Sequence, residues 1–260
     1  LLSDCALKLP TQGVAVAHNL IAGGFCSVGL GVDNGARTLP SPRYTPYHVP
    51  HETALAGFMT ILHGDMRFYN NLFVQMPLRA GPRRVMEYLQ GPGKNSWDDG
   101  NLLAGTWVYD GYPTQAQWRA QFAGYCGMGS GPTDRYYTHL PVWAAGNVYL
   151  GGARPWRKET PAWQSSAPVQ LQLQKEDGAL TLRTDLYALL PDVLCTAPVG
   201  TETLPMALEP EQRFENPDGS SFWLDADYCG VRRGENPLPG PFETRADCYL
   251  VDPAAAAGPA

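Results

Sequence analysis

The chain has 260 residues and a net charge of −6, and 17% of its residues are charged while 44% are hydrophobic. This hydrophobic content excludes an intrinsically disordered chain, and the acidic balance argues against a nucleic-acid partner, which clustered Lys and Arg would bind. No apolar run approaches the roughly 18 residues that a membrane span needs, and the 28 Gly and 24 Pro favour a β-rich, loop-rich protein.

Two sharp corners are predicted where polar pairs interrupt short apolar segments. The first is His18-Asn19 within VAVAHNLIA, and the second is Asn70-Asn71 within RFYNNLFV. Asn is among the few residues that adopt a positive φ at low cost, so each pair can turn the chain. The repetition predicts two rungs of a coiled parallel sheet.

Two long irregular stretches follow these corners in the prediction. Residues 23–57 are rich in Gly, Pro and Tyr and lack a helical period, so they are predicted to form one or two surface loops. The second stretch runs from residue 76 to about 154. Within it, one short helix is predicted over residues 114–122, with Thr114 as its N-cap.

The pattern changes to strict alternation after residue 167. Val169, Leu171 and Leu173 are predicted to share one face of an antiparallel hairpin, with glutamines on the other face. A second short strand is predicted over residues 222–225, after a turn that includes Asn216 and Gly219.

The sequence therefore predicts an all-β protein with two modules. Residues 1–160 would form coiled parallel rungs with long loops, and residues 161–252 an antiparallel, β-sandwich-like module. Residues 253–260 are predicted to be a disordered tail.

Polar side chains suited to a binding site are concentrated in residues 43–73. His, Arg, Asp and Tyr hydrogen-bond sugar hydroxyls or anions, and the nominated residues are Arg43, Tyr44, His48, His51, His63, Asp65 and Arg67. The His48/His51 and His63/Asp65 spacings permit a metal site in principle, but such spacings are common in loops. No metal or other cofactor is predicted.

A retaining glycosidase needs two carboxyl groups about 5–5.5 Å apart. The candidates cannot be placed at equivalent positions of consecutive rungs; they are Asp33, Glu52, Asp65, Asp98, Asp99 and Asp110. Asp65 is the best single candidate for a catalytic carboxylate, and its alternative role is a salt bridge to Arg67.

Several segments resemble the right-handed parallel β-helix β-xylosidases of glycoside hydrolase family 120. The matching segments are HNLIAG (18–23), RYTPYHVPH (43–51), GFMTILHGDMRFYNNLF (57–73), WDDGNLL (97–103), YDGYPT (109–114), PEQRFENPDG (210–219) and DADYCG (225–230). The resemblance implies a β-helix with a β-sandwich, and retaining hydrolysis of terminal xylose from xylo-oligosaccharides. It also implies that residues 43–68 lie beside the catalytic cleft.

The family's catalytic Asp and Glu precede the HNLIAG segment, so the resemblance places both upstream of Leu1. No catalytic residue is therefore assigned in this chain, which is expected to be an inactive C-terminal fragment. Two alternatives stay open: a non-catalytic carbohydrate-binding β-helix, and a β-helix polysaccharide lyase in which calcium, Arg43 or Arg67 would hold a uronate. The predicted partner is a xylo-oligosaccharide or related glycan, and the unspaced cysteines weakly favour a cytoplasmic location.

Overall fold

A computed structural model describes most of the chain outside the long excursion that the sequence predicts. The described residues are 4–9, 11–29, 64–81, 83–84, 98–101, 103–126, 138–176, 179–194, 196–208 and 210–251. Strands dominate them, and no helix among them is long and apolar enough to cross a membrane.

Two stacked parallel sheets form the N-terminal half of the fold. Sheet I has the order β2 (Gln12–Ala17), β5 (Gly64–Tyr69) and β8 (Val142–Ala145). Sheet II has the order β3, β6, β9 and β10, again with every pair parallel. Its strands are Leu20–Gly23, Leu72–Gln75, Val148–Leu150 and Trp163–Gln164. Stacked parallel sheets of this kind fit a β-helix.

A third sheet corrects the prediction that residues 23–57 are entirely loop. β1 (Cys5–Lys8) pairs in parallel with β4 (Phe25–Gly29), which pairs antiparallel with β7 (Asp98–Asn101). The backbone of β4 is held by neighbours on both sides, a tertiary effect that the Gly-rich composition of residues 23–57 as a whole does not reveal. The rest of this stretch, residues 30–57, lies outside the described residues, as do residues 58–63.

The predicted corners connect sheet I to sheet II. His18 has φ 55° between β2 and β3, and Asn70 has φ 54° between β5 and β6. The corner at Asn70 is confirmed, whereas at the first corner the positive φ falls on His18 and not on Asn19. A third corner stands between β8 and β9, where Gly146 has φ 69°. The strands on either side of Gly146 overturn the prediction that residues 76–154 are irregular apart from one helix.

An asparagine follows each corner, and the three side chains form a ladder. Asn71 Oδ1 accepts from the backbone N–H of Asn19 at 3.0 Å, and Asn147 Oδ1 accepts from the backbone N–H of Asn71 at 2.9 Å. Asn71 Nδ2 also donates to Asn147 Oδ1 at 2.9 Å. Asn71 and Asn147 thus each satisfy a backbone N–H of the neighbouring corner.

Glu159 ends the asparagine ladder. Its Oε1 accepts from the backbone N–H and the Nδ2 of Asn147 at 3.1 and 2.9 Å, and its Oε2 accepts from Tyr149 Oη at 2.6 Å. Tyr149 Oη also lies 2.7 Å from Thr106 Oγ1. When Glu159 is protonated, it can donate to Tyr149, whose hydroxyl can then turn to Thr106.

This buried carboxyl predicts a pH dependence of stability. Burial raises the pKa of Glu159 to about 7, whereas the unfolded chain titrates it near about 4.3. The folded state therefore holds more protons between these values, and stability falls as the pH rises through 7. We expect the free energy of unfolding to be about 1 kcal/mol higher at pH 6 than at pH 8 because of this residue.

Urea unfolding at both pH values measures this effect, with Glu159→Gln as the comparison. Glutamine keeps an oxygen acceptor for Asn147 but does not titrate, so the variant should lose that part of the pH dependence. Equal pH dependence in the two proteins would contradict the assignment.

The inner core is enclosed by all three sheets. One cluster of fully buried side chains draws on strands of all three sheets. It includes Ala6 of β1, Ile21 of β3, Met66 and Phe68 of β5, and Phe73 of β6. The Phe73 ring stacks on that of Tyr149 with a centroid distance of 5.1 Å. Rings stacked between successive strands hold the parallel sheets in register.

A C-terminal antiparallel sheet packs on the outside of sheet II. It has the order β11 (Leu171–Glu176), β12 (Ala179–Thr184) and β13 (Cys248–Leu250). The second core cluster combines side chains of β3, β6 and β9 with aromatic residues such as Tyr187 and Tyr249. Sheet II is therefore buried on both faces, which explains its continuous apolar segments.

The antiparallel hairpin and the short helix are confirmed. β11 pairs with β12 in antiparallel register, and helix α1 (Gln115–Ala120) begins after Thr114, whose side chain forms a capping box with Gln117. Leu173 is 49% exposed because β11 is the edge strand.

The strand predicted over residues 222–225 is wrong. Only an isolated bridge joins Trp223 to Gly200. The partner segment turns at once, because Thr203 and Leu204 both donate to the Gly200 carbonyl. The predicted turn is present, with Gly219 donating to the Asn216 carbonyl at 2.8 Å.

Candidate functional site

The structure describes two of the seven nominated site residues, Asp65 and Arg67, and brings them together. Both lie on β5, and alternate residues of a strand point to the same face. The other nominees lie outside the described residues; they are Arg43, Tyr44, His48, His51 and His63. The described part of the site is thus the Asp65–Arg67 pair and what surrounds it.

The backbone turns sharply at Gly64 and Asp65, the first two residues of β5. Asp65 has φ 55°, and the preceding Gly64 has φ 105°, where a Cβ would lie 2.2 Å from the Leu140 carbonyl oxygen. Only glycine fits at position 64. One side-chain oxygen of Asp65, Oδ1, accepts from Arg67. The other, Oδ2, accepts from the backbone N–H of Leu208 at 3.0 Å.

Arg67 uses its guanidinium to hold a distant part of the chain. Its Nε donates to the Pro205 carbonyl at 2.7 Å, its Nη1 to the Asp65 carbonyl at 2.5 Å, and its Nη2 to Asp65 Oδ1 at 2.6 Å and to the Met206 carbonyl. The planar fork of arginine suits such a set of oxygen acceptors.

Two aromatic rings stack on the guanidinium. The Trp143 ring centroid lies 4.4 Å from Arg67 Cζ, and the Phe214 centroid lies 4.9 Å away. Trp143 stands opposite Arg67 in the register of sheet I, while Phe214 comes from the PEQRFENPDG segment. Cation–π contacts of this kind strengthen when the cation is desolvated.

Burial and ion pairing act in opposite directions on the pKa values of Asp65 and Arg67. Both residues have 0% exposure. Burial raises the pKa of the Asp65 carboxyl, and the neighbouring Arg67 charge works against that rise. Burial likewise lowers the pKa of Arg67, which Asp65 opposes. Because arginine stays protonated in proteins, the pair is an ion pair.

This geometry gives the pair a positioning role. Both Asp65 oxygens are engaged inside the protein, which supports the salt-bridge alternative rather than a carboxylate open to a substrate. The pair ties β5 to residues 205–208, and it sits where the chain returns from residues 30–63. It therefore holds the start of β5, which directly follows, along the chain, the residues that include the other nominees.

Sequence reasoning missed the aromatic partners of Arg67. Trp143 belongs to the third corner unit, which was not recognised, and Phe214 follows 147 positions after Arg67 along the chain. Asp110, a nominated carboxylate, accepts from the backbone N–H of Arg157 at 2.8 Å. Within the ranges that the structure describes, no cluster of three His, Cys, Asp or Glu side chains could hold a metal ion.

The chain is similar to a solved structure, described as the complex structure of XylC with xylose. The TM-score is 0.65 at 25% sequence identity, and the similarity covers 94% of this chain. The chain spans about a third of the length of XylC, since 33% of that chain is covered. No protein-family model and no curated protein sequence matches the chain. The fold is thus shared with a protein whose structure holds xylose.

Proposed function

We propose that this chain is the C-terminal part of a retaining glycoside hydrolase that removes xylose from xylo-oligosaccharides. The observation that carries the proposal is the similarity to XylC in its complex with xylose, over 94% of this chain. The stacked parallel sheets and the segments that resemble family 120 β-xylosidases support it.

In this proposal the three N-terminal sheets coil as a right-handed parallel β-helix. The corners at His18, Asn70 and Gly146 would then mark successive rungs, and the antiparallel strands after residue 170 would form the attached β-sandwich-like module. The division near residue 160 stays a prediction; β10 pairs with sheet II at residues 163–164.

The proposed chemistry is double displacement through a covalent glycosyl-enzyme. It needs two carboxyl groups about 5–5.5 Å apart, and neighbouring strands about 4.8 Å apart can supply such a pair. We place that pair in residues that precede Leu1 in the longer protein. One carboxylate would attack the anomeric carbon while the other protonates the leaving oxygen.

This chain would contribute the wall that recognises the sugar. Arg43, Tyr44, His48, His51 and His63 remain the proposed sugar contacts. Asp65 and Arg67 would instead hold the end of that wall, because both are buried and paired. The same pairing weighs against a uronate lyase that uses Arg67, since the guanidinium is committed to Asp65 and to backbone carbonyls.

Hydrolysis of an aryl β-xyloside tests the proposal. Residues 1–260 alone should show no turnover, whereas the protein from the complete reading frame should be active and release xylose with retained configuration. Substituting either proposed carboxylate in the longer protein should lower kcat by several orders of magnitude. Turnover by residues 1–260 alone would overturn the placement of the catalytic pair.

A further inference from the structure

An exposed tryptophan stands in a rigid setting far along the chain from residues 43–73. Trp223 is 46% exposed. The other side of its ring packs on Gly200, where a Cβ would lie 2.6 Å from Trp223 Cε3. Two backbone hydrogen bonds join the segments that carry Gly200 and Trp223. The Thr201 N–H donates to the Phe222 carbonyl at 3.0 Å, and the Leu224 N–H donates to the Val199 carbonyl at 2.9 Å. The indole is therefore a fixed platform.

Trp223 forms part of a cleft, here called the Trp223 cleft, whose lining includes three charged residues. The cleft is lined by Pro198, Trp223, Leu224, Asp225, Arg233, Gly234 and Glu235 and has a volume of about 290 Å³. Ligand pockets range over roughly 300–1,000 Å³, so this space suits one small ring.

Arg233 makes one wall of the Trp223 cleft rigid. Its backbone N–H donates to the Asp225 carbonyl at 2.7 Å, and its guanidinium pairs with Glu243 at 2.8 Å and donates to the Gly240 carbonyl at 3.0 Å. The Arg233 side chain is only 4% exposed. Its Nε–H is buried and has no partner among the described residues.

We propose that the Trp223 cleft binds one pyranose ring of a neutral oligosaccharide. The apolar face of the ring would lie on the indole, and its hydroxyls would donate to the carboxylates of Asp225 and Glu235. A sugar combines an apolar face with hydroxyl donors, which matches a tryptophan flanked by carboxylates. A purely apolar ligand would desolvate these charged groups without pairing them.

A cationic ligand is the main competitor for the Trp223 cleft. Two carboxylates beside an indole would attract a cation, and the one guanidinium in the lining, that of Arg233, is already paired with Glu243. A cationic probe is therefore one arm of the test. The proposed site gives residues 1–260 a sugar-binding activity that is independent of the catalytic pair. The choice of xylose oligosaccharides as the ligand rests on the proposed function.

Calorimetric titration of residues 1–260 with xylobiose tests the site. We expect Trp223→Ala to weaken binding about tenfold or more, because it removes the platform, while Trp223→Phe should retain part of the affinity. Tyr228→Ala is the matched control, since Tyr228 is 42% exposed but does not line the cleft. Circular dichroism melts would show whether each variant remains folded.

The outcomes separate this site from the proposed function. Trp223-dependent binding of cellobiose but not of xylobiose would support the cleft and count against the xylosidase. Equal xylobiose affinity in the wild type and in folded Trp223→Ala would overturn the cleft, as would the absence of binding by any neutral sugar at millimolar concentration. Trp223-dependent binding of arginine ethyl ester alone would overturn it in favour of a cation site.

Discussion

Replacing Arg67 with methionine is expected to lower the free energy of unfolding by about 3–5 kcal/mol. The substitution leaves the Asp65 carboxylate buried beside no positive partner, with both residues at 0% exposure in the native protein. It also removes the donors to the carbonyls of Pro205 and Met206, and with them the tie between β5 and residues 205–208. Urea unfolding followed by circular dichroism measures the loss.

The double variant Asp65→Asn/Arg67→Met should recover part of this stability. The asparagine amide oxygen can still accept from the Leu208 backbone N–H, and no unpaired charge then remains in the core. Recovery should be incomplete, since the three backbone carbonyls that Arg67 serves stay without a donor.

The ion pair between Arg213 and Glu202 provides the matched control. It is also a carboxylate–guanidinium contact, but its side chains are 45% and 62% exposed. Solvent screens such a pair, so Arg213→Met should cost less than about 1 kcal/mol. If Arg67→Met costs no more than Arg213→Met, the buried pair does not hold the fold together in the way that its contacts indicate.

The corners were predictable because they depend on local chemistry. Asn70 adopts the positive φ that asparagine tolerates, whereas at the first corner His18 adopts it in place of Asn19, so the corner lies one residue from its predicted position. The third corner escaped notice because Gly146 takes the position that His and Asn hold elsewhere. Glycine also marks ordinary loops, so by itself it does not distinguish a corner between two strands from an irregular turn. The Asn147 that follows it was the usable signal.

The surroundings of the site depend on contacts that sequence patterns do not encode. The spacing of Asp65 and Arg67 on one strand face made their salt bridge a reasonable expectation. The covering segment at residues 205–208 and the Phe214 ring come from far along the chain, and no periodicity links them to β5. Likewise, β4 is a strand because β1 and β7 pair with it, not because of its own composition.

Replacing Asn71 with alanine is expected to cost about 3 kcal/mol of stability, because Asn71 is the central member of the asparagine ladder. Its Oδ1 accepts from the Asn19 backbone at 3.0 Å, and its Nδ2 donates to the Val16 carbonyl at 2.8 Å and to Asn147 Oδ1 at 2.9 Å. Alanine removes the acceptor of the Asn19 N–H and the side-chain donor to the Val16 carbonyl, and it leaves Asn147 Oδ1 with only the backbone N–H of residue 71 as donor from this corner. Urea unfolding of the variant measures the cost directly.

Asn19→Ala is the control for the ladder, since Asn19 stands at its outer end and is only half-buried. Its side chain donates to the Ala17 carbonyl at 2.8 Å and, at 3.4 Å, to Asn71 Oδ1. We therefore expect a loss of only about 1 kcal/mol. A double-mutant cycle between Asn71 and Asn147 should show coupling, because each amide polarises the next along a hydrogen-bonded chain. Two results together would contradict the ladder: additive losses of stability for Asn71 and Asn147, and a loss for Asn71→Ala no larger than that for Asn19→Ala. The corners would then be held separately, and the ladder would not act as a unit.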